Sequence, residues 1–278
     1  MPELPEVETV KNTLIKEVKD KIIVSASVYW ENIIAYPSVK EFERKIRNQK
    51  INDILRRGKW LMFELDDYYL LSHLRMEGKY FIRQSDDPIE KHQHVIFHFS
   101  DGTDLRYHDT RKFGKMYLLS KENAFNEKPL SELGLEPWDK KLTPEYLKKK
   151  FHKKPIKTEL LDQTIIVGIG NIYADEILFL SKINPKTLAT DLTAEDCQKI
   201  IDFTKQVLEK AIEYGGTTVK SYESSEGVHG RFQQHLLVHT KEECPICHSK
   251  IIKITVGGRG TYYCENCQKE WYSWKKLK

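Results

Sequence analysis

The sequence predicts an α+β protein in which an N-terminal β-sandwich or barrel-like domain precedes a helical domain and a small metal-binding module. Period-two hydrophobicity with hairpin signals dominates residues 21–120. Helical periodicity dominates residues 144–214, and two Cys-x-x-Cys pairs follow near the end of the chain. With 278 residues, the chain is long enough to form two cored domains and one small module.

A helix is predicted directly after the N-terminus. Its apolar stripe recurs at spacings of three and four residues: Val7, Val10, Leu14 and Val18. Pro5 suits the first turn of a helix, and the carboxylate of Glu6 suits the positive end of its dipole. The start of this helix would hold the first six residues in a fixed arrangement.

Two hairpins support the β-rich domain. Asp66-Asp67 separates the predicted strands Trp60–Leu65 and Tyr68–Leu74. Residues 100–103 join a second pair of strands, His94–Phe99 and Asp104–His108. Residues 123–143 contain two prolines and a glycine with little periodicity, which indicates a linker.

The following block is helical. Helices are predicted over Pro144–His152, Ile172–Leu180 and Ala194–Tyr214. Gly168-Ile-Gly170-Asn171 precedes the second of these, where glycines permit either a phosphate at the helix start or tight helix packing. Cys197, alone on the third helix, is interpreted as a packing residue.

Four cysteines predict a metal site. Cys244-Pro-Ile-Cys247 and Cys264-Glu-Asn-Cys267 enclose sixteen residues, which is a spacing typical of a four-thiolate zinc site. Four protein ligands leave no open coordination position, so the predicted Zn²⁺ is a single structural ion. Between the pairs, a β-hairpin is predicted with Arg259 at its glycine-rich tip, which is either a solvent-exposed turn or a contact with a polyanion.

Composition narrows the possible functions. No apolar run approaches the roughly 20 residues that a membrane helix requires, and the first thirty residues lack the apolar centre of a secretory signal. We therefore expect a cytosolic protein without membrane association. A net charge of +4 does not by itself indicate nucleic-acid binding. The local basic clusters at residues 56–59 and 148–154 are candidates for it, or are solvated surface.

The N-terminus itself carries potential chemistry. Removal of Met1 would leave Pro2 as a secondary amine next to the carboxylates of Glu3 and Glu6. An α-amino group titrates near roughly 7.7–8.0, so a useful fraction is neutral at physiological pH. Its attack on an aldehydic carbon such as sugar C1′ would give an iminium ion, an electron sink for elimination. The alternative is that these residues only begin a helix.

Three motifs in order along the chain resemble bacterial formamidopyrimidine-DNA glycosylases. They are Met1-Pro-Glu-Leu-Pro-Glu-Val-Glu-Thr9, Gly168-Ile-Gly-Asn-Ile-Tyr-Ala-Asp-Glu176, and Gly258-Arg-Gly-Thr-Tyr-Tyr-Cys264 with the four cysteines. The resemblance implies a β-sandwich with a leading helix, a helix-two-turn-helix domain and a zinc finger. It also implies excision of 8-oxoguanine and formamidopyrimidines from double-stranded DNA by a monomer in the bacterial cytoplasm, associated with the nucleoid through DNA. Cleavage of the abasic site by β,δ-elimination would follow.

The resemblance also implies roles for individual residues. Pro2 becomes the nucleophile, Glu3 the acid/base at the sugar, Glu6 its support, and Lys59 part of the catalytic set. The positions that would grip phosphates around the lesion are Lys59, His73, Asn171 and Arg259. The wedge that fills the space of the extruded base would be Met76, Arg111 and Phe113. Lys157 aligns with a lysine near the flipped base.

Taken together, these features divide the chain into five parts. They are a catalytic β-sandwich domain (1–125), a linker (126–143), a helix-two-turn-helix domain (144–232), a zinc finger (233–270) and a C-terminal extension (271–278). The loop at 221–231 occupies the position that covers the extruded base. The extension passes the usual family end near Gln268, and Trp271 and Trp274 would pack on the zinc module or stack on bases.

Two alternatives remain at this stage. Related enzymes that act on oxidised pyrimidines share the Pro-Glu start and the zinc finger, whereas Leu4 and the Met76/Arg111/Phe113 set favour the purine substrate. A non-catalytic zinc-finger DNA-binding protein would bind DNA without forming a covalent intermediate.

Overall fold

The computed structural model describes residues 1–217 and 230–269. These residues form two compact units. The first unit contains residues 1–132 together with 215–217 and 230–231, and the second contains 133–214 together with 232–269. The zinc module therefore belongs to the same unit as the helical block. Residues 218–229, which include most of the predicted loop at 221–231, and residues 270–278, with Trp271 and Trp274, lie outside the described residues.

The first unit is a β-sandwich with a leading helix, as the sequence predicted. Its two helices are α1 (Leu4–Val18) and α2 (Val39–Lys45). Its strands are β1 (Ile22–Val28), β2 (Ile34–Tyr36), β3 (Gln49–Lys50), β4 (Asp53–Arg57), β5 (Trp60–Glu64), β6 (Tyr68–His73), β7 (Lys79–Gln84), β8 (Gln93–Phe99), β9 (Thr103–His108) and β10 (Lys115–Ser120).

These strands form two five-stranded sheets, in the orders β3-β1-β8-β9-β7 and β2-β10-β6-β5-β4. All neighbours are antiparallel except β2 and β10, which are parallel. One continuous core fills the space between them, and it includes Phe97 from the first sheet and Phe63 from the second. Period-two alternation describes these sheets only in part, because four successive residues of β5, Trp60–Phe63, and five of β8, Gln93–Phe97, are buried.

Helix α1 covers the core with the predicted stripe. Val7, Val10, Leu14 and Val18 are at most 3% exposed. The helix begins at Leu4, and Pro5 occupies its first turn, where a missing N–H costs nothing. Packing against β4 and β5 fixes the position of the N-terminus within this unit.

The second unit is helical and ends in a two-stranded hairpin. Its helices are α3 (Pro144–Lys150), α4 (Ile156–Leu160), α5 (Asn171–Leu180) and α6 (Ala194–Glu213). Its strands are β11 (Ile252–Val256) and β12 (Arg259–Tyr263). Cys197 is fully buried on α6, which confirms its interpretation as a packing residue.

The zinc module packs on the end of α5. Phe179 from this helix joins Val238, Cys244, Ile251 and Cys264 in one small core.

Two short helices, α2 and α4, were missed by the sequence analysis, since one or two turns give too few periodic positions to recognise. No helix among the described residues is long and apolar enough to cross a membrane.

Candidate functional site

The N-terminus of the first unit is surrounded by buried charge. Pro2 is buried, and Glu3 and Glu6 are only 2% and 1% exposed. Burial lowers the pKa of the Met1 amino group, and Lys59 lowers it further, while Glu3, Glu6 and Glu77 act in the opposite direction. These acidic and basic groups therefore act on the amino terminus across a short distance, in surroundings that favour a neutral amine.

Glu6 is held by two separate segments of the unit. Its Oε2 accepts a hydrogen bond of 2.9 Å from the Glu3 backbone N–H, as in a helix capping box. Its Oε1 accepts bonds from the backbone N–H and the hydroxyl of Thr217, at 2.8 and 3.1 Å. Gly216 has a φ of +78°, and a Cβ there would lie 2.7 Å from Oε1. Glu6 thus fixes the geometry of its neighbours rather than facing open space.

Lys59 lies with Gly58 in the tight turn between β4 and β5. It is 6% exposed, and Gly58 before it has a φ of +56°, which glycine adopts without strain. Arg56 Nη1 donates to the carbonyl of Gly58 at 3.1 Å, and Arg56 Nε donates to Glu8 Oε2 at 2.7 Å. Because Glu8 lies on α1, this ion pair ties the lysine-bearing turn to the helix that carries the N-terminus.

His73, at the end of β6, is a neutral donor. Burial lowers its pKa to about 3, with smaller contributions from Arg75 and Lys59. Its Nδ1 lies 2.9 Å from the backbone N–H of Arg75 and accepts a hydrogen bond from it. The ring proton must then reside on Nε2, which leaves one N–H to donate to another group.

The predicted wedge residues lie on two loops of the same unit. Met76 is half-buried on the loop between β6 and β7. Arg111 and Phe113 are exposed on the loop between β9 and β10, where the guanidinium carbon lies 4.7 Å from the phenyl centroid. Phe113 is 49% exposed and is not a core residue.

Arg259 is exposed in the second unit, at the tip of the hairpin. Gly257 and Gly258, with φ of +56° and +76°, form the two-residue turn between β11 and β12. Asn171 Nδ2, at the first position of α5, donates to the Gly260 carbonyl at 2.9 Å. A hydrogen bond therefore joins the start of α5, which carries Asn171, to the hairpin that carries Arg259.

Lys157 does not lie at a surface. Its side chain is 0% exposed, and its Nζ donates to Asp175 Oδ1 at 2.6 Å and to the Gly260 carbonyl at 3.1 Å. Asp175 Oδ2 is also bound, by His239 Nδ1 at 2.7 Å and the Tyr262 N–H at 3.2 Å. In this arrangement the ammonium group contacts protein atoms, and its position beside an extruded base stays a prediction.

The four predicted zinc ligands come together. Their ligand atoms all lie within 4.8 Å of one another. The Cys244–Cys267 and Cys247–Cys264 sulfur distances are 3.8 and 3.4 Å, and tetrahedral Zn²⁺ with bonds near 2.3 Å requires about 3.8 Å between sulfurs. The cysteines fit one structural zinc ion, with no ligand position left for substrate.

Several residues with clear structural roles at the site were missed by the sequence analysis. Asp109 is fully buried and organises the loop of Arg111 and Phe113. Glu176 accepts backbone N–H groups from residues 237–239 and so holds the chain that enters the zinc module. Glu176 belongs to a motif that the sequence analysis quoted, and Asp109 lies two residues before the predicted wedge residue Arg111, so their place within these stretches was the available signal.

The two-sheet unit, the helical unit and the cysteine site define a multidomain zinc-finger protein. Family models match three successive segments: the formamidopyrimidine-DNA glycosylase N-terminal domain at residues 1–116, its H2TH domain at 133–223, and the zinc finger found in FPG and IleRS at 241–269. The chain belongs to the formamidopyrimidine-DNA glycosylase family.

Individual relatives agree over nearly the full length. The chain is 48% identical to the formamidopyrimidine-DNA glycosylase of Cytobacillus firmus, covering 96% of this chain and 100% of the relative. A Lactococcus lactis FPG variant in complex with a Fapy-dG containing DNA superposes with a TM-score of 0.90 at 37% identity, over 97% of this chain and 100% of the other. The complex between Lactococcus lactis Fpg and an abasic site containing DNA gives 0.88 at 37%, over 96% and 100%.

Proposed function

We propose that this chain excises oxidised purines from DNA in base-excision repair and then cleaves the resulting abasic site. Membership of the family supports the activity, and the names of the relatives support the substrate class. The observation that carries the mechanism is the buried start of the chain, where Pro2, Glu3, Glu6 and Lys59 are all buried and the three charged side chains act on the amino terminus. The site of action would be bacterial DNA in the cytoplasm, on which the protein works as a monomer.

The first step is displacement of the damaged base. After Met1 is removed, the neutral Pro2 nitrogen attacks C1′ as the glycosidic bond breaks, and the proton that Pro2 loses on forming the C–N bond is transferred to the departing base. Glu3 donates a proton to the sugar ring oxygen as the C1′–O4′ bond opens, which leaves an iminium ion between Pro2 and C1′. Glu6 positions Glu3 through the 2.9 Å bond to its backbone N–H.

Elimination then breaks the DNA strand. The iminium ion acidifies C2′, so loss of that proton expels the 3′ phosphate, and loss of the C4′ proton expels the 5′ phosphate. Water hydrolyses the remaining iminium and restores the Pro2 amine. Glu3, as the carboxylate formed in the first step, is the base available beside the sugar.

Phosphate binding is assigned to Lys59, His73, Asn171 and Arg259. Of these groups Lys59 and Arg259 bring positive charge, because Asn171 is uncharged and the lowered pKa of His73 keeps it neutral. His73 offers Nε2–H and Asn171 an amide N–H. Two of the four contacts therefore position the DNA without releasing counterions.

Met76, Arg111 and Phe113 are assigned to the wedge. Extrusion of a base costs a few kcal/mol of stacking and pairing, which inserted side chains recover in part. The exposure of Phe113 supports this role, since a phenyl ring in water gains from stacking on bases. Arg111 can hydrogen-bond the orphaned partner base. Lys157 we assign to DNA binding through Gly260, whose carbonyl it holds beside Arg259.

Reductive trapping tests the nucleophile. Borohydride should join the processed protein to abasic DNA, and peptide mapping should place the adduct on Pro2. Pro2→Gly should reduce strand cleavage more than DNA affinity, whereas Arg259→Ala should reduce both. A preparation that retains Met1 is the matched control and should give no adduct. An adduct on an interior lysine would refute the mechanism, and absence of any adduct would favour a protein that only binds DNA.

Excision rates test the substrate. Duplexes carrying 8-oxoguanine opposite cytosine and thymine glycol opposite adenine should be compared under single-turnover conditions. We expect the purine lesion to be excised faster. A clear preference for thymine glycol would assign the chain to the activity on oxidised pyrimidines.

A further inference from the structure

The two loops that carry the proposed wedge meet at one buried hydroxyl group. Tyr107 lies on β9 and is fully buried, with its ring 5.2 Å from that of Tyr80. Its hydroxyl fills the space beside Gly78 on one loop and Gly114 on the other, and a Cβ at either glycine would overlap it. Both positions therefore require glycine while Tyr107 is present.

Asp109 builds the second loop around its carboxylate. Oδ1 accepts the backbone N–H of Arg111 at 3.0 Å, and Oδ2 accepts those of Phe113 and Gly114 at 2.9 and 2.8 Å. Three backbone donors are thus satisfied by one fully buried side chain. Lys112, which lies between Arg111 and Phe113, has a φ of +58°. The carboxylate therefore stabilises a left-handed backbone conformation that is unfavourable for lysine.

The Tyr107 hydroxyl also donates to Asp109 Oδ2 at 3.4 Å, which links the two features. Burial and the nearby Asp109 carboxylate raise the pKa of this hydroxyl, so it remains a neutral donor over the working pH range. A second link joins the loops at the surface, where the Thr110 hydroxyl donates to the Glu77 carboxylate. Within the first loop, the Gly78 N–H donates to the Leu74 carbonyl at 2.9 Å and closes the turn that carries Met76.

We propose that Tyr107 and Asp109 are positioning residues that hold the loop at 74–78 and the loop at 109–114 at one fixed spacing, so that Met76 and Phe113 enter the DNA together. The inference rests on the wedge role proposed above. Neither residue touches DNA or the reacting atoms. Their effect is on the extrusion of a stacked base, because a wedge with one loop displaced can fill only part of the space that the base leaves.

The proposal separates two measurements. Excision of paired 8-oxoguanine requires extrusion, whereas cleavage at a preformed abasic site begins with no base to extrude. Tyr107→Phe removes only the shared hydroxyl and should slow single-turnover excision about fivefold. Asp109→Asn replaces an acceptor by a donor that faces backbone N–H groups, and should slow it about 10- to 100-fold. Borohydride trapping on abasic DNA should stay within about twofold of wild type in both variants.

A spectroscopic readout reports insertion directly. 2-Aminopurine placed next to the lesion brightens when the stack is opened, and its rise should slow in both variants in parallel with excision. Tyr80→Phe is the matched control, because it removes a neighbouring buried hydroxyl that donates to Ser72 at 2.7 Å and contacts neither loop glycine. It should lower thermal stability as Tyr107→Phe does, while excision and fluorescence remain at wild-type rates.

Three results would be decisive. If Tyr80→Phe slows excision as much as Tyr107→Phe, the effect is a general loss of stability and the proposal is wrong. If Tyr107→Phe and Asp109→Asn slow abasic-site cleavage as much as excision, they act on chemistry and the proposal is also wrong. If Phe113→Ala and Met76→Ala leave excision of the paired lesion unchanged, the wedge role itself fails, independently of Tyr107.

Discussion

Lys59 and Lys157 are the two buried lysines among the residues that the structure describes, one in each unit, and their surroundings differ. Lys157 is paired with Asp175 and bonded to Gly260, in a network that His239 and Tyr262 complete. Lys59 lies where it acts on the Met1 amino group and on His73. Burial of a lysine therefore indicates either a structural ion pair or a reactive surrounding, and the neighbouring groups decide which.

The same contrast applies to the carboxylates. Asp175 and Glu176 hold the zinc module to α5, and all their described partners belong to the second unit. The Glu6 oxygens also accept hydrogen bonds from backbone and hydroxyl groups. The donors, however, are Thr217 and Glu3, and Glu3 directly follows the proposed nucleophile. Asp175 and Glu176 thus hold parts of the second unit together, whereas Glu6 lies beside the N-terminus for which we propose the reaction.

Removal of zinc should have the largest effect and should be confined to the second unit. Structural zinc contributes about 10–16 kcal/mol in small zinc modules, so chelation should unfold the hairpin that carries Arg259. Zinc release, followed with a chromogenic chelator, should accompany loss of affinity for lesion DNA. Trapping of Pro2 at saturating abasic DNA should persist. Unchanged affinity after complete zinc release would contradict the role assigned to this hairpin.

Replacement of each buried lysine by methionine should have the next largest effect, and that effect should differ between the two units. Lys157→Met leaves the Asp175 carboxylate buried without its ammonium partner and should lower the free energy of unfolding by about 3–5 kcal/mol. Lys59→Met should cost less stability but should reduce strand cleavage more. Urea denaturation and single-turnover cleavage measure the two quantities.

A double variant provides the control for Lys157. Asp175→Asn removes the unpaired charge, so the loss in Lys157→Met/Asp175→Asn should be smaller than the sum of the two single losses. Additive losses would mean that the two groups are not energetically coupled, and the contrast between the lysines would then lose its basis.

The pH dependence of stability should report His73. Its pKa is about 3 in the folded chain, against the ordinary histidine pKa of 6.5 that we take for the unfolded chain. Between these values the unfolded chain binds a proton that the folded chain does not, so the stability contributed by the neutral ring is present above pH 6.5 and is lost as the pH falls. At pH 4.5 the loss should be about 2 to 3 kcal/mol.

Comparison of wild type with His73→Asn at pH 7.5 and pH 4.5 isolates this contribution. The difference at pH 7.5 gives the packing cost of the substitution, and the change between the two pH values gives the protonation effect. His94 and His108 also have lowered pKa values, and they remain in both proteins. An equal pH dependence in both proteins would show that His73 titrates normally.

Local patterns predicted much of this molecule from its sequence. The stripe of α1 and the four cysteines depend on spacings of a few residues, and both were confirmed. The bond between Glu6 and Thr217 joins residues 211 positions apart, and no periodicity connects them. The partners of Lys157, Asp175 and the Gly260 carbonyl, lie 18 and 103 positions away, so its burial could not be predicted from neighbouring residues. An ion pair or hydrogen bond between residues far apart in the sequence cannot be predicted from local patterns.

The salt dependence of DNA binding should give the smallest effect and the finest distinction. Each phosphate neutralised by a cation contributes about −0.9 to the slope of log affinity against log salt, so Arg259→Ala should make the slope shallower by about 1. His73→Asn and Asn171→Ala should weaken binding at every salt concentration with the slope unchanged, because neither residue carries charge at neutral pH. Fluorescence anisotropy of a lesion duplex between about 50 and 300 mM salt measures both quantities. A shallower slope in His73→Asn would mean that DNA binding protonates the ring, and that the phosphate overcomes the burial that keeps it neutral.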